Sequence, residues 1–176
     1  MAVRETTQIG DPVIRAKAKA VAADAVASPA VRRVVRDLID SMRAHGLVGM
    51  AAPQIGIGAR IFVTEIRETR TRRGVGADPV RVFVNPKIVR RSVKRAYDHE
   101  GCGSVAHADL FGLVGRADAV EVTAWNEKGK KFTLRARGLL ARIIQHENDH
   151  LDGIVFLDRM KDLRTLAARE SLFGVS

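Results

Sequence analysis

The chain has 176 residues, 46% of them hydrophobic, which is enough apolar material for one sizeable core and gives no reason to expect a second unit. Thirty Lys and Arg stand against twenty Asp and Glu, a formal net charge of +10 that favours polyanionic partners, while one Trp and one Tyr are too few for a base-stacking platform. A lone cysteine excludes an internal disulfide, and the longest apolar run, residues 46–58, is broken by Pro53 and glycines and carries Gln54, so it cannot span a membrane.

The first 20 residues lack the apolar stretch of a secretory signal and include Glu5 and Asp11. A cytoplasmic protein with one unit over 1–176 is the expectation. Ser28 is suited to cap a helix with Pro29 at its first position. Val31, Val34, Val35, Leu38, Ile39 and Met42 then recur at helical spacing until Gly46, which predicts an amphipathic N-terminal helix. The stretch from Leu47 to Gly56 follows, with small residues at Gly49, Ala51 and Ala52 that allow close backbone approach. Ile61 to Ile66 and Val80 to Val84 read as strands, the second stopped by Asn85-Pro86, with a basic, glycine-containing loop between them. Basic clusters lie at Arg67, Arg70, Arg72 and Arg73 and again at Arg90, Arg91, Lys94 and Arg95.

Further on, Val120 to Trp125 and Lys131 to Arg137 alternate around Asn126-Glu127-Lys128-Gly129-Lys130, the pattern of a hairpin. Gly138 marks the switch to a helix whose apolar stripe is Leu139, Leu140, Ile143, Ile144 and Leu151, ending near Asp152-Gly153. The tail from Asp162 to Arg169 predicts one more short helix. The fold class that results is α+β, with antiparallel strands packed around a central metal-binding helix and Cys102 delivered from a strand end.

That helix carries Gln145-His146-Glu147-Asn148-Asp149-His150. Two imidazoles four residues apart share one helical face, so they can grip a single metal ion while Glu147 reaches a water beside it. A solvated polar face is the bland alternative, weakened by the apolar stripe that brings the histidines to a core boundary. Catalytic metals commonly take three protein ligands and leave a position open. Cys102, in Glu100-Gly101-Cys102-Gly103-Ser104, is a third ligand by chemistry, since thiolate suits zinc or ferrous iron. Taken alone, a single cysteine reads as a small buried hydrophobe. Gln54 offers a neutral amide that can donate to an oxygen gaining charge, although a Gln in such a loop is more often simply solvated.

Met50-Ala51-Ala52-Pro53-Gln54, Glu100-Gly101-Cys102-Gly103-Ser104 and Gln145 to His150 together resemble, in order and spacing, the three signature motifs of peptide deformylases. Gly10-Asp11-Pro12-Val13-Ile14-Arg15 resembles that family's opening segment, so the likeness runs from about residue 9 to about residue 160. The resemblance implies one divalent metal on Cys102, His146 and His150, ferrous iron by preference with zinc, nickel or cobalt tolerated. It implies Glu147 as proton shuttle, Gln54 and the backbone N–H of Gly103 as oxyanion donors, and Gly49 and Glu100 as substrate-binding positions. Its substrates are N-formylmethionyl nascent peptides, which makes ribosomal RNA a partner for the basic surface, with dispersed solubilising charge the alternative. Two positions depart from the pattern: Leu47 stands where the first motif usually has glycine, and Gly103 where the second usually has leucine.

Two other classes compete. An H-E-x-x-H zinc peptidase would take Glu170, 20 residues past His150, as third ligand. A deformylase-like binding module with altered activity would keep the fold and dock on RNA.

Overall fold

Two antiparallel sheets pack against one long helix in the computed structural model of the chain, which describes residues 3–69 and 71–174. In chain order the elements are α1 (Pro12–Arg15), α2 (Pro29–Ala44), β1 (Gly49–Ala51), β2 (Ile61–Ile66), β3 (Asp78–Arg91), β4 (Arg95–Gly101), β5 (Leu110–Ala117), β6 (Ala119–Trp125), β7 (Lys131–Arg137), α3 (Gly138–Leu151), β8 (Ala167–Ala168) and α4 (Arg169–Phe173). The larger sheet runs β1-β2-β3-β6-β7 and the smaller β4-β5-β8. The α+β class with antiparallel strands around a central helix is therefore observed.

Local chemistry explains the helices. Ser28 Oγ accepts from Val31 N–H and Pro29 occupies the first turn of α2, as its sequence predicts. Gly138 opens α3 at a φ of +55°, which lets the chain turn straight out of β7. At the other end Gly153, with φ +74°, ends α3 and lies so close to the carbonyl of Arg15 that a Cβ would strike it.

Strand β2 is buried on both faces, which is why it reads as a nearly continuous apolar run. Phe62 and Phe83 stack at 4.5 Å in the cluster that includes Ala141, Ile144 and Leu151 of α3. Ile61 and Val63, pointing the other way, join Val35, Leu38 and Met42 of α2. Gly49 to Ala51 pair with Thr64 to Phe62, so the first motif is an edge strand of the same sheet. Burying one such Leu or Ile side chain contributes about 1.5–3 kcal/mol, and these two clusters fix α3 relative to β1.

Several expectations are corrected. Asn85-Pro86 does not stop the strand: β3 runs on to Arg91, and the pairing register shifts between Val84 and Lys87. Asn85 adopts a φ of +51° and its side chain exchanges hydrogen bonds of 2.8 and 2.7 Å with the backbone of Val21, so the Asn-Pro pair makes a bulge. The tail holds a single helical turn at Leu163–Thr165, the short strand β8 and then α4, in place of one helix ending at Arg169. Strands β1 and β5 were not predicted, and β4 was expected only as the strand end that delivers Cys102. No helix among the described residues is long and apolar enough to cross a membrane.

Candidate metal centre

Helix α3 presents His146 and His150 one turn apart, with ring centroids separated by 5.0 Å. Strand β4 ends at Gly101 and hands Cys102 to the same point, where its Sγ lies 3.1 Å from Nε2 of His150. One ligand atom from each of Cys102, His146 and His150 falls within 4.8 Å of the others. Metal–ligand bonds are about 2.0–2.3 Å, so ligand atoms this near one another are within reach of a single ion. Nδ1 of buried His150 has no hydrogen-bond partner among the described residues, and the donor set of one sulfur and two nitrogens suits zinc or ferrous iron. These residues fit a divalent cation.

The glycines beside Cys102 perform the close approach expected of them. A Cβ on Gly101 would stand 2.6 Å from the ring of Phe111, and one on Gly103 would stand 2.9 Å from Cδ1 of Leu47. The N-terminal segment stitches the first two motifs together. Thr7 N–H donates to the Gln54 carbonyl at 2.9 Å, Ile9 N–H to the Ser104 carbonyl at 2.8 Å, and Gln8 Nε2 to the Gly103 carbonyl at 2.8 Å.

Gln54 is buried in the turn after β1. Its Oε1 accepts from the Ala51 N–H at 2.8 Å, which fixes the orientation of the amide and aims Nε2 toward the Cys102 sulfur, 3.5 Å away. Glu147, buried beside the triad, has one carboxylate oxygen without a hydrogen-bond partner among the described residues. Burial pushes its carboxyl up to about 7, against the pull of the His146 charge. A cation at the triad would add a further pull toward the ionised form.

Glu100 sits at the centre of a buried charge network. Its carboxylate is buried and accepts from Nε and Nη2 of Arg116 at 3.0 and 2.9 Å, from Nη1 of Arg142 at 2.6 Å, and sits 3.0 Å from Nδ1 of His146. Burial opposes its ionisation, yet the His146 and Arg116 hydrogen bonds hold its carboxyl well below the usual carboxylate range. Both oxygens are thus committed to protein groups, among them the His146 ring, and Glu100 also lines the cavity over the triad. Arg116 also meets Asp149, whose other oxygen takes Arg159 at 2.6 Å. Gln145 clamps α3 to β5 by exchanging hydrogen bonds with the Ala117 backbone at 3.1 and 2.9 Å.

Gly49 likewise serves the site from within. A Cβ there would come 2.7 Å from Cγ2 of Ile143 and collide with Oε1 of Glu147. Glu170, the third ligand of the peptidase alternative, is exposed on α4 and outside the ligand group, which corrects that reading. Arg116, Arg142, Asp149 and Gln8 were missed by sequence reasoning. Only the burial of arginines in β5 and α3 distinguishes them from surface charge, and no short motif marks that. The cavity above the triad is lined by Leu47, Gly49, Gln54, Cys102, Gly103, Glu147 and, from the loop between β2 and β3, Arg72. Arg70 of the same basic cluster lies outside the described residues.

The family model described as polypeptide deformylase matches residues 3–165. A peptide deformylase of Desulforudis audaxviator is 41% identical over 159 residues, covering 90% of this chain and 94% of its own length. One from Neisseria gonorrhoeae is 42% identical over 134 residues, 76% of this chain and 74% of its own. Among solved structures, a Met-Ala-Ser-bound class I type b peptide deformylase from Acinetobacter baumannii superposes with a TM-score of 0.85 at 30% identity, covering 90% of this chain and 100% of that one. The peptide deformylase of Thermotoga maritima gives 0.78 at 29% identity, with 92% and 100% covered.

Proposed function

This chain belongs to the polypeptide deformylase family, and from that premise we propose that residues 1–176 form a single catalytic domain in which Cys102, His146 and His150 hold the metal and Glu147 moves the proton. The family removes the N-formyl group from the amino-terminal formylmethionine of nascent peptides, releasing formate. One observation carries the assignment of roles: the convergence of three ligand atoms from two distant segments, with Glu147 and the Gln54 amide beside them.

Cys102, His146 and His150 would hold a divalent cation, which would supply an acidified water near neutral pH. Glu147 accepts the proton of the attacking water and returns it to the departing amine, a base and then an acid at one carboxylate. Gln54 Nε2 and the Gly103 N–H donate to the formyl oxygen as it gains charge, and losing one such donor typically costs about a hundredfold in rate. Glu100 stands 3.0 Å from Nδ1 of His146, a pairing that would leave Nε2 as the ring atom available to a cation. Gly49 keeps open the space in which the Glu147 carboxylate sits. The bond broken joins the formyl carbon to the methionine nitrogen, and the products are formate and a free amino terminus.

Ferrous iron is the ion we propose, because a mixed sulfur and nitrogen set accepts it and the resemblance points to it, with zinc, nickel and cobalt compatible with the same ligands. The site of action is the cytoplasm, where formylated chains emerge. Exposed Arg90, Arg91, Lys94 and Arg95 supply a basic face for ribosomal RNA. Anaerobic purification with metal analysis, followed by formate release from formyl-Met-Ala-Ser by wild type and Glu147→Ala, tests the assignment. Equal turnover by the two proteins would remove Glu147 from the reaction, and absence of metal from the purified wild type would remove the centre.

A further inference from the structure

We propose that Arg72 is a specificity-determining residue that reads a carboxylate on the peptide beyond its amino-terminal methionine. The inference rests on the deformylase reading above. Arg72 lies in the loop between β2 and β3, and its backbone is held by hydrogen bonds of 2.9 and 3.3 Å exchanged with Thr69. Its side chain is half-buried and lines two neighbouring cavities at once. The first is the cavity over the metal triad; the second is lined by Thr69, Thr71, Phe111 and Arg169. Leu47, Val48 and Gly101 wall both, so the guanidinium stands where a chain leaving the triad would pass.

Burial disfavours the charge on Arg72, and the carboxylates of Asp98 and Glu100 act on it through space, not by hydrogen bonds. Glu100 is already engaged by Arg116, Arg142 and His146. Across the second cavity, Arg169 is paired with Asp109 at 2.9 Å. A partly desolvated guanidinium is best compensated by an anion that offers hydrogen-bond acceptors. The formamide is neutral and the methionine side chain apolar, so in the substrate that anion must lie further along the peptide. Two sources share the chemistry: an acidic side chain, or the terminal carboxylate of a short formyl peptide.

The test compares kcat/KM for formyl-Met-Ala-Ser as free acid and as amide, and for the amides of formyl-Met-Ala-Glu and formyl-Met-Ala-Lys. Peptides bearing the carboxylate are expected to exceed the neutral amide by about tenfold, mainly through KM, with the lysine peptide lowest. The acid and glutamate arms identify which source is read. In Arg72→Ala and Arg72→Gln the ratios collapse toward unity, and Arg72→Lys retains part of them. Equal values for all four peptides in the wild type, or a preference that survives Arg72→Ala, would overturn the proposal. Calorimetric binding of the product Met-Ala-Ser as acid and as amide reads the same preference without turnover, so failure of formate release would count against the enzyme assignment and leave Arg72 still decided.

Discussion

Cδ1 of Leu47 lies 2.9 Å from the point where a Cβ on residue 103 would stand. The two positions at which the chain departs from the deformylase motifs are thus neighbours in space, and the side chain present at one occupies the room given up at the other. Gly103→Leu should therefore be overpacked, at a cost of about 1–3 kcal/mol in stability, while Leu47→Gly leaves a void. The double variant Leu47→Gly/Gly103→Leu is expected to recover much of both losses. Thermal unfolding and formate release on all four proteins give a double-mutant cycle, for which a coupling of about 1 kcal/mol or more is expected. Additive effects would show that the two departures are independent.

Gly49 gives the sharpest separation of proton transfer from metal binding. The three atoms nearest a Cβ at that position belong to the Glu147 carboxylate and to Cγ2 of Ile143, both on α3, and none is a ligand atom of the triad. Gly49→Ala should displace the carboxylate, and a misplacement of about 1 Å costs roughly a hundredfold in kcat. Metal content per chain should be unchanged. Loss of metal together with activity would mean that the substitution disturbs the whole helix.

Much of this centre is legible in the sequence because its chemistry is local there. His146, Glu147 and His150 lie within one helical turn or so, and helical geometry alone puts them together. Cys102 is nominated by thiolate chemistry and supported by the family resemblance, since nothing in residues 95–104 says that the strand ends against α3. The ion pairs of Glu100 were not legible for the same reason: its partners Arg116 and Arg142 come from β5 and α3, 16 and 42 residues away, so its burial is a product of tertiary packing. Strand β5 was missed because Gly112 and Gly115 make room for Met160 and Tyr97 and interrupt its apolar pattern. The Asn85-Pro86 pair has the composition of a strand stop, and only the hydrogen bonds to Val21, made by a residue 64 positions distant, turn it into a bulge.

The buried network around Glu100 predicts a metal-affinity effect from a residue that does not touch the metal. Glu100→Gln removes the charge that holds the Nδ1 proton of His146 and leaves Arg116 with one carboxylate partner in place of two. Loss of such an outer partner typically lowers metal affinity about 10–100-fold. Breaking a buried ion pair on one side also destabilises by about 3–5 kcal/mol, so competition with a chelator should be measured well below the unfolding temperature. Affinity equal to wild type would place the orienting role elsewhere.

Removal of the cation should be visible as a loss of stability, because its ligands come from β4 and α3 and no such site exists in the unfolded chain. An ion present at 100 times its dissociation constant stabilises by about 2.7 kcal/mol, which for a chain of this length raises the unfolding temperature by about 5–10 °C. Wild type treated with chelator should lose that increment, and re-addition of ferrous iron or zinc under anaerobic conditions should restore it. Cys102→Ser should show little increment with either ion, since a hydroxyl does not ionise to an anionic ligand as a thiol does. Should the serine variant respond to metal as strongly as wild type, the thiolate would not be a ligand, and the three-residue centre would have to be redrawn around the histidines alone.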